Sequence, residues 1–208
     1  MGTLQVGGTT LGTKNTSTNK IELENSFLKE SGSIVQVQST QLTTSVSTTS
    51  IPINTDIVVK NGSTPFSSSD SGILDVNITP KITGSKIWLQ CNWTGEFSSS
   101  ANTYNHMFFF WRNTTKLANT EPSPGNRQIG ISPATLTYDQ SDGTSTLEHL
   151  FMQYFDIHGI SAGTQITYKL GLVCETGNTL CTNRTVSDTN ATSRERGVSS
   201  LVAIELAP

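Results

Sequence analysis

The chain has 208 residues, of which 34% are hydrophobic and 14% charged, with a formal net charge of -3 and a pI of about 5.6. This length suffices for one sizeable core, or for one domain with a docking segment. The cationic residues are scattered and no stretch approaches the roughly 18 apolar residues of a membrane span, so we expect neither a nucleic-acid partner nor membrane insertion.

Residues 1–30 differ from the rest of the chain. They contain Gly7-Gly8, a Thr-rich run to Thr18 and few apolar anchors for a core of their own. Such a segment is either a frayed terminus or an arm that orders on a partner. We predict an extended N-terminal attachment arm over residues 1–30 and a folded domain over residues 31–208.

Short strands begin after Ser31. Roughly a quarter of the chain is Ser or Thr, a composition that suits strands and turns. The first predicted strand is 34–38, which 41–50 can extend, and a further strand is 56–60. Asn61-Gly62 then marks a tight turn, because Gly tolerates positive φ.

The most informative pattern covers residues 73–93. Alternate residues are apolar on each side of a turn that contains Pro80 and Gly84. Before the turn one side of the strand carries three apolar residues, and after it one side carries four: Leu74, Val76 and Ile78, then Ile87, Leu89, Cys91 and Trp93. This alternation predicts antiparallel sheet with one buried face.

Two later segments are apolar on both faces. One is 105–112, and the other is 147–157, where Phe151 and Phe155 point one way and other apolar side chains point the other. A strand with two apolar faces needs cover on both. We expect either that these strands lie centrally under loops or that one face meets a neighbouring subunit.

Segments 165–174 and 199–207 complete the series of strands. The first alternates cleanly, and the second is so apolar that it must be paired. Many short strands, with no amphipathic run long enough for a helix, predict an all-β fold. The predicted architecture is an antiparallel β-sandwich, specifically a jelly roll.

The longer loops are candidates for recognition. They cover residues 97–104, 116–126, 138–146 and 175–195, and they carry small polar residues with isolated aromatic and charged ones. Long loops on a rigid sandwich are where recognition usually resides.

The three histidines do not indicate a catalytic base. His106 and His149 lie in aromatic-rich strand patterns, and His158 lies at a strand end. No nucleophile-elbow sequence accompanies them. We interpret them as core or interface histidines.

The densest group of carboxylates also gives no site. It comprises Asp139, Asp142, Glu148 and Asp156, and it lacks the alternating acids and closing Glu of a calcium loop, which favours a solvated turn. A polysaccharide depolymerase would need paired carboxylates at a cleft. We predict no enzyme activity, no catalytic, cofactor-binding or metal residues, and no cofactor.

The cysteines are an odd number: Cys91, Cys174 and Cys181. Cys174 and Cys181 are spaced to close a hairpin by a disulfide or to begin a metal site, but no CxxC motif and no His pair accompanies them. We predict free thiols.

Three blocks of sequence resemble a recurrent β-domain of tailed, marine-type bacteriophages. They are Gly32-Ser-Ile-Val-Gln-Val-Gln38, then Asn77-Ile-Thr-Pro-Lys-Ile-Thr-Gly-Ser-Lys-Ile87, then the strand Ser199-Ser-Leu-Val-Ala-Ile-Glu-Leu-Ala207. The resemblance covers about Gly32 to Pro208, and its most specific part is the Thr-Pro to Ser-Lys-Ile turn. The aromatic-rich segment 105–111 and the loop 175–195 match no motif of the group.

The resemblance implies a virion surface component, often trimeric. We predict a fibre or tail appendage subunit on the virion surface, a homotrimer that is attached to other virion proteins by its arm and whose loops touch a host glycan or protein. One alternative is a capsid decoration or cement protein. The other is a carbohydrate-binding module in which Trp88, Trp93 or Trp111 stacks on sugars, although Trp93 and Trp111 fall among apolar neighbours typical of a core.

Overall fold

The computed structural model describes residues 3–6, 9–15, 17, 20–23, 30–98, 105–120, 125–133, 145–175 and 179–208. These residues form strands and turns, and no helix among them is long and apolar enough to cross a membrane. The all-β, antiparallel sandwich predicted from the sequence is therefore confirmed.

The strands within these ranges are β1 (Thr3–Val6), β2 (Thr9–Asn15), β3 (Lys20–Leu23), β4 (Ile34–Leu42), β5 (Val46–Thr48), β6 (Ile57–Val58), β7 (Asp75–Ile78), β8 (Lys86–Ser98), β9 (His106–Arg112), β10 (Thr115–Leu117), β11 (Ser132–Pro133), β12 (Glu148–Asp156), β13 (Ile166–Cys174), β14 (Thr179–Thr182) and β15 (Ser199–Leu206).

Strands β1 to β3 lie in the predicted arm. They form a separate antiparallel sheet in the order β1-β2-β3. The arm thus contains paired backbone, and its role in attachment remains a prediction.

Sheet I is built around β8. One edge of β8 pairs with all nine residues of β12, and its other edge pairs first with β15 and then with β14. Strand β15 continues to β4, and β14 continues to β5. The pairing expected for the strand at 199–207 is confirmed.

Sheet II is built around β13. One edge of β13 pairs with β9, and the other pairs with β7 and β6. Strand β9 continues to β10 and β11. The two sheets pack face to face and enclose a single large core.

The core lies where the alternation predicted it. All seven apolar residues of the 73–93 pattern are buried, and they pack in one cluster with the inward side chains of β9, β12 and β13. Trp93 and Trp111 are 2% and 7% exposed, as their apolar neighbours predicted. Trp93 also donates a hydrogen bond from Nε1 to Thr182 Oγ1 at 3.0 Å, which satisfies its polar atom inside the core.

The turn between β7 and β8 crosses from one sheet to the other. Strand β7 pairs with β13 in sheet II, whereas β8 lies in sheet I, so these two strands are not hairpin partners. Alternation reports which side of each strand is buried but not which strand it pairs with, and both strands bury the side that faces the shared core.

The loop predicted at 175–195 is partly strand. Residues 179–182 form β14, with Leu180, Cys181 and Thr182 buried against β8 and β5. Four residues are too few for alternation to predict a strand, because two inward positions do not distinguish a strand from a loop.

Candidate interaction surface

The histidines lie in three different environments. His106 is buried and its ring centroid lies 4.9 Å from that of Phe97, while the Nδ1 of buried His158 accepts a hydrogen bond from the Ile160 N–H at 3.0 Å. Burial lowers the pKa of both imidazoles. His149 is exposed on β12 and hydrogen-bonds to the Asn92 side chain. No nucleophile appears among these contacts.

Glu148 is a buried acid on β12. Its pKa is raised to about 8, chiefly because burial disfavours the charged form and secondarily because Glu96 is nearby. Glu96 is itself buried and accepts a hydrogen bond from the Val186 N–H at 2.6 Å. Since both acids are buried, they do not present paired carboxylates to an open cleft. Asp139 and Asp142 lie outside the described residues.

Asp156 ties the two sheets together. Its carboxylate on β12 accepts hydrogen bonds from Arg112 Nη1 and from the Tyr168 hydroxyl, each at 2.7 Å, and both donors lie in sheet II. Burial and the neighbouring carboxylate raise the pKa of Tyr168. Both carboxylate oxygens are satisfied within the chain, so the group is a structural tie.

The three blocks that carry the phage resemblance meet at one end of the sandwich. The carboxylate of Glu205, which is fully buried on β15, accepts hydrogen bonds from the Lys81 N–H at 2.8 Å, the Ile82 N–H at 3.0 Å and Gln36 Nε2 at 2.6 Å. Gln36 Nε2 also donates to the Thr79 carbonyl at 2.7 Å.

Glu205 therefore fastens the β7–β8 turn and β4 onto the last strand. A buried charge is tolerated only when it is hydrogen-bonded, and here backbone donors do this. The most specific part of the resemblance thus has a structural role. The signal in the sequence was the lone Glu inside an apolar strand.

The cysteine thiols are all buried and free. Burial raises the pKa of Cys91 and of Cys174 to about 12. The expectation of free thiols is confirmed. Within the described residues, no group of three or more His, Cys, Asp or Glu side chains is arranged to hold a metal ion.

The outward side of β9 is covered by the chain itself. Phe109 and Trp111 form a second small core with Val58 and Val173, which Met107, Ala118 and Ile131 flank. The Lys116 ammonium lies 4.4 Å from the Phe109 ring centroid and pairs with Asp56 at 2.6 Å. For strands with two apolar faces we expected either that loops of the same chain cover the outer face or that a neighbouring subunit does. Strand β9 has the first arrangement.

No described residue covers the outward side of β12. Phe151 is 54% exposed, Phe155 53% and Ile157 76%, and across the same side of sheet I Ile34 is 59% exposed and Val37 51%. These five residues define what we call the open face. Single exposed apolar residues are ordinary on a protein surface, but a contiguous set is not.

Strand register makes the open face continuous. Val37, Ile204, Trp88 and Phe155 are direct partners across β4, β15, β8 and β12, so they form one apolar row four strands wide. The rings of Trp88 and Phe155 stack with centroids 5.4 Å apart and planes 9° apart. Two Asp, Glu, Lys or Arg side chains lie on this side of β4, β15, β8 and β12: Lys86, which is exposed, and Glu96, which is 3% exposed.

The open face is similar in area to the largest apolar patch of a typical monomer. With about 150–250 Å² for a fully exposed large side chain, its five residues expose on the order of 500 Å². The largest apolar patch on a typical monomer is about 300–600 Å², and such patches are often functional. Aromatic enrichment and depletion of charge are the marks of an interface core.

Comparison with known proteins does not identify a family for this chain. No family model matches the chain, and no curated protein matches it.

Proposed function

We propose that this chain is a structural subunit of a tailed-phage virion, exposed on the virion surface, that self-associates through the open face. The observation that carries the proposal is the uninterrupted apolar row Val37–Ile204–Trp88–Phe155 on an otherwise well-sealed sandwich. The buried carboxylates of Glu96, Asp156 and Glu205 are hydrogen-bonded within the chain, which supports a structural role over a catalytic one.

A second copy of the chain is the occupant that best fits the open face. Stable interfaces bury about 800 Å² per partner, and the open face supplies on the order of 500 Å² of exposed apolar area to such a contact. The contact needs little matching of charges, because Lys86 is the only exposed Asp, Glu, Lys or Arg on this side of β4, β15, β8 and β12. A ring of three copies, as the phage resemblance implies, would bury the same surface on every subunit.

The strand order supports the predicted jelly roll. Sheet I contains the run β4-β15-β8-β12 and sheet II the run β7-β13-β9-β10, so the first and last strands of the domain are neighbours. This arrangement is the expected result of winding a long hairpin around the sandwich. Jelly rolls of this kind are common in virion proteins.

Residues 1–30 supply attachment to other virion proteins in this account, and loops at the rim touch the host surface. Within the virion, a fibre or tail appendage is our first choice and a capsid decoration protein the alternative. Immunogold labelling of intact particles separates them: label at the tail supports the fibre, and label on the shell supports decoration. Absence of label from purified particles would contradict both.

A matched pair of variants tests the role of the open face in assembly. Phe155→Ser removes the aromatic side chain that ends the apolar row on β12 and stacks on Trp88. Ile53→Ser removes one of similar exposure, 58%, that lies outside the open face. We expect Phe155→Ser to lower incorporation into particles and Ile53→Ser to leave it unchanged. Equal incorporation of both variants would contradict the proposal.

A carbohydrate-binding module is the second candidate, and one observation favours it. The Trp88–Phe155 stack is flanked by the amide side chains of Gln90, Asn92 and Gln153, and Trp88 Nε1 donates to Gln153 Oε1 at 3.3 Å. Aromatic rings beside amides suit sugar rings and their hydroxyls. A glycan array distinguishes the candidates: binding that Phe155→Ser abolishes, by a chain that stays monomeric, would support the lectin and contradict the interface.

A further inference from the structure

The loop between β14 and β15 encloses a cavity at its tip. Residues 188–191 and 194–196 line a volume of about 310 Å³. The base of the loop is fixed: Asn183 Nδ2 donates to the Leu42 and Thr44 carbonyls at 2.7 and 3.0 Å, and the Gly197 N–H donates to the Asn183 carbonyl at 3.2 Å. The cavity therefore lies on a supported loop rather than a free one.

With one exception, the charged side chains around the cavity have ion-pair or hydrogen-bond partners within the chain. Asp188 pairs with Arg196 and lies 3.8 Å from Arg184. The Glu195 carboxylate accepts a hydrogen bond from the Leu147 N–H at 2.6 Å, which turns it towards the start of β12.

Arg194 is the exception. It forms no ion pair with any residue that the structure describes, and its Nη1 donates only to the carbonyl and hydroxyl of adjacent Ser193, at 3.0 and 3.2 Å. Its Nε is buried without an acceptor in the described part of the chain. A guanidinium binds best when two of its N–H groups meet one planar acceptor, and here that acceptor is missing.

We propose that this cavity binds the carboxylate of a monosaccharide-sized acidic sugar through Arg194. The volume is at the lower end of the range for small-molecule sites, which suits a single sugar ring. Asp188 and Glu195 line the same cavity, so a singly charged carboxylate meets less repulsion than a doubly charged phosphate. Thr189 and Asn190 offer polar groups for sugar hydroxyls. A rotation of the guanidinium brings Nε as well as Nη2 to the ligand.

The test is a titration of the full chain with glucuronate, glucose and inorganic phosphate, followed by the amide NMR shifts of residues 188–196. We expect glucuronate to shift these amides with millimolar affinity and glucose to leave them unchanged. Arg194→Gln should weaken glucuronate binding at least about tenfold, and Arg194→Lys should also weaken it because an ammonium lacks the planar fork. Arg127→Gln, at an exposed arginine outside the cavity, is the matched control and should bind as the wild type does.

Three outcomes would overturn the inference. The first is that the amides of residues 188–196 do not shift when glucuronate is present at a concentration on the order of 50 times a millimolar dissociation constant. The others are that Arg194→Gln binds glucuronate as tightly as the wild type does, or that the wild type binds phosphate more tightly than glucuronate. The inference is independent of self-association, because the cavity is not part of the open face. Phe155→Ser should therefore bind glucuronate normally, and the two proposals fail separately.

Discussion

Strands β9 and β12 contain similar residues and have opposite surroundings. Each carries aromatic side chains on its outward side, yet Phe109 is fully buried whereas Phe155 is 53% exposed. The difference comes from the rest of the chain. The Lys116–Asp56 pair and the flanking residues Ala118 and Ile131 cover β9, and nothing equivalent in the described part of the chain covers β12. In our proposal, a second copy of the chain covers the aromatic face that remains open on β12.

The largest expected effect is on the covered face. Phe109→Ala should lower the free energy of unfolding by about 3–5 kcal/mol, because it removes a fully buried ring and leaves a cavity. Chemical denaturation of the variant and the wild type measures this. A loss below about 1 kcal/mol would mean that the loops do not seal this face.

A second prediction concerns how tightly side chains pack on the outward side of β9. A Cβ placed at Gly171 on β13 would overlap the Phe109 ring. Gly171→Ala should therefore cost about 3 kcal/mol of stability through overpacking. Adding Phe109→Leu to Gly171→Ala should recover part of that loss, and a double-mutant cycle measures the coupling. Additive losses would contradict the predicted contact.

The inward face of β12 gives a pH-dependent prediction. The pKa of Glu148 is about 8 in the folded chain against an ordinary value of 4.5, so the folded state keeps a proton that the unfolded state releases. Its contribution to stability is complete below about pH 4.5 and is lost as the pH rises to about 8.

Glu148→Gln should remove this loss, since Gln carries no charge at any pH. The variant should gain on the order of 4 kcal/mol over the wild type between about pH 5 and pH 8.5. Glu30→Gln, at an exposed position, is the control and should leave the slope unchanged. If the free energies of unfolding of the wild type and Glu148→Gln varied with pH in the same way, the raised pKa of Glu148 would be contradicted.

The smallest effect is expected on the open face. Phe151→Ala makes the same chemical change as Phe109→Ala, but its ring is 54% exposed, so the stability of the isolated subunit should fall by less than about 1 kcal/mol. Denaturation of dilute protein measures this difference. Equal losses for the two variants would remove the contrast between the two strands.

The sequence predicted which residues are buried better than it predicted which strands pair or which strand faces loops cover. Alternation located the inward residues of β8 and β13, because side-chain direction repeats every second residue regardless of the partner strand. The same pattern gave no information on which sheet β7 joins, since that depends on long-range packing. Asp156 and Glu205 were each visible as an acid in an apolar strand, but their hydrogen-bond donors are 12 to 169 positions away in sequence. Which doubly apolar strand would be covered depended on loop residues such as Ala118 and Ile131, which belong to no periodic pattern in the sequence.

Sedimentation equilibrium of the full chain at micromolar concentration tests most directly whether sister copies cover β12. We expect a mass of at least two chains of 22.4 kDa, and of three for the trimer. Phe155→Ser should shift the mass towards that of a single chain, and Ile53→Ser should not. A wild-type mass of one chain across that concentration range would contradict this expectation.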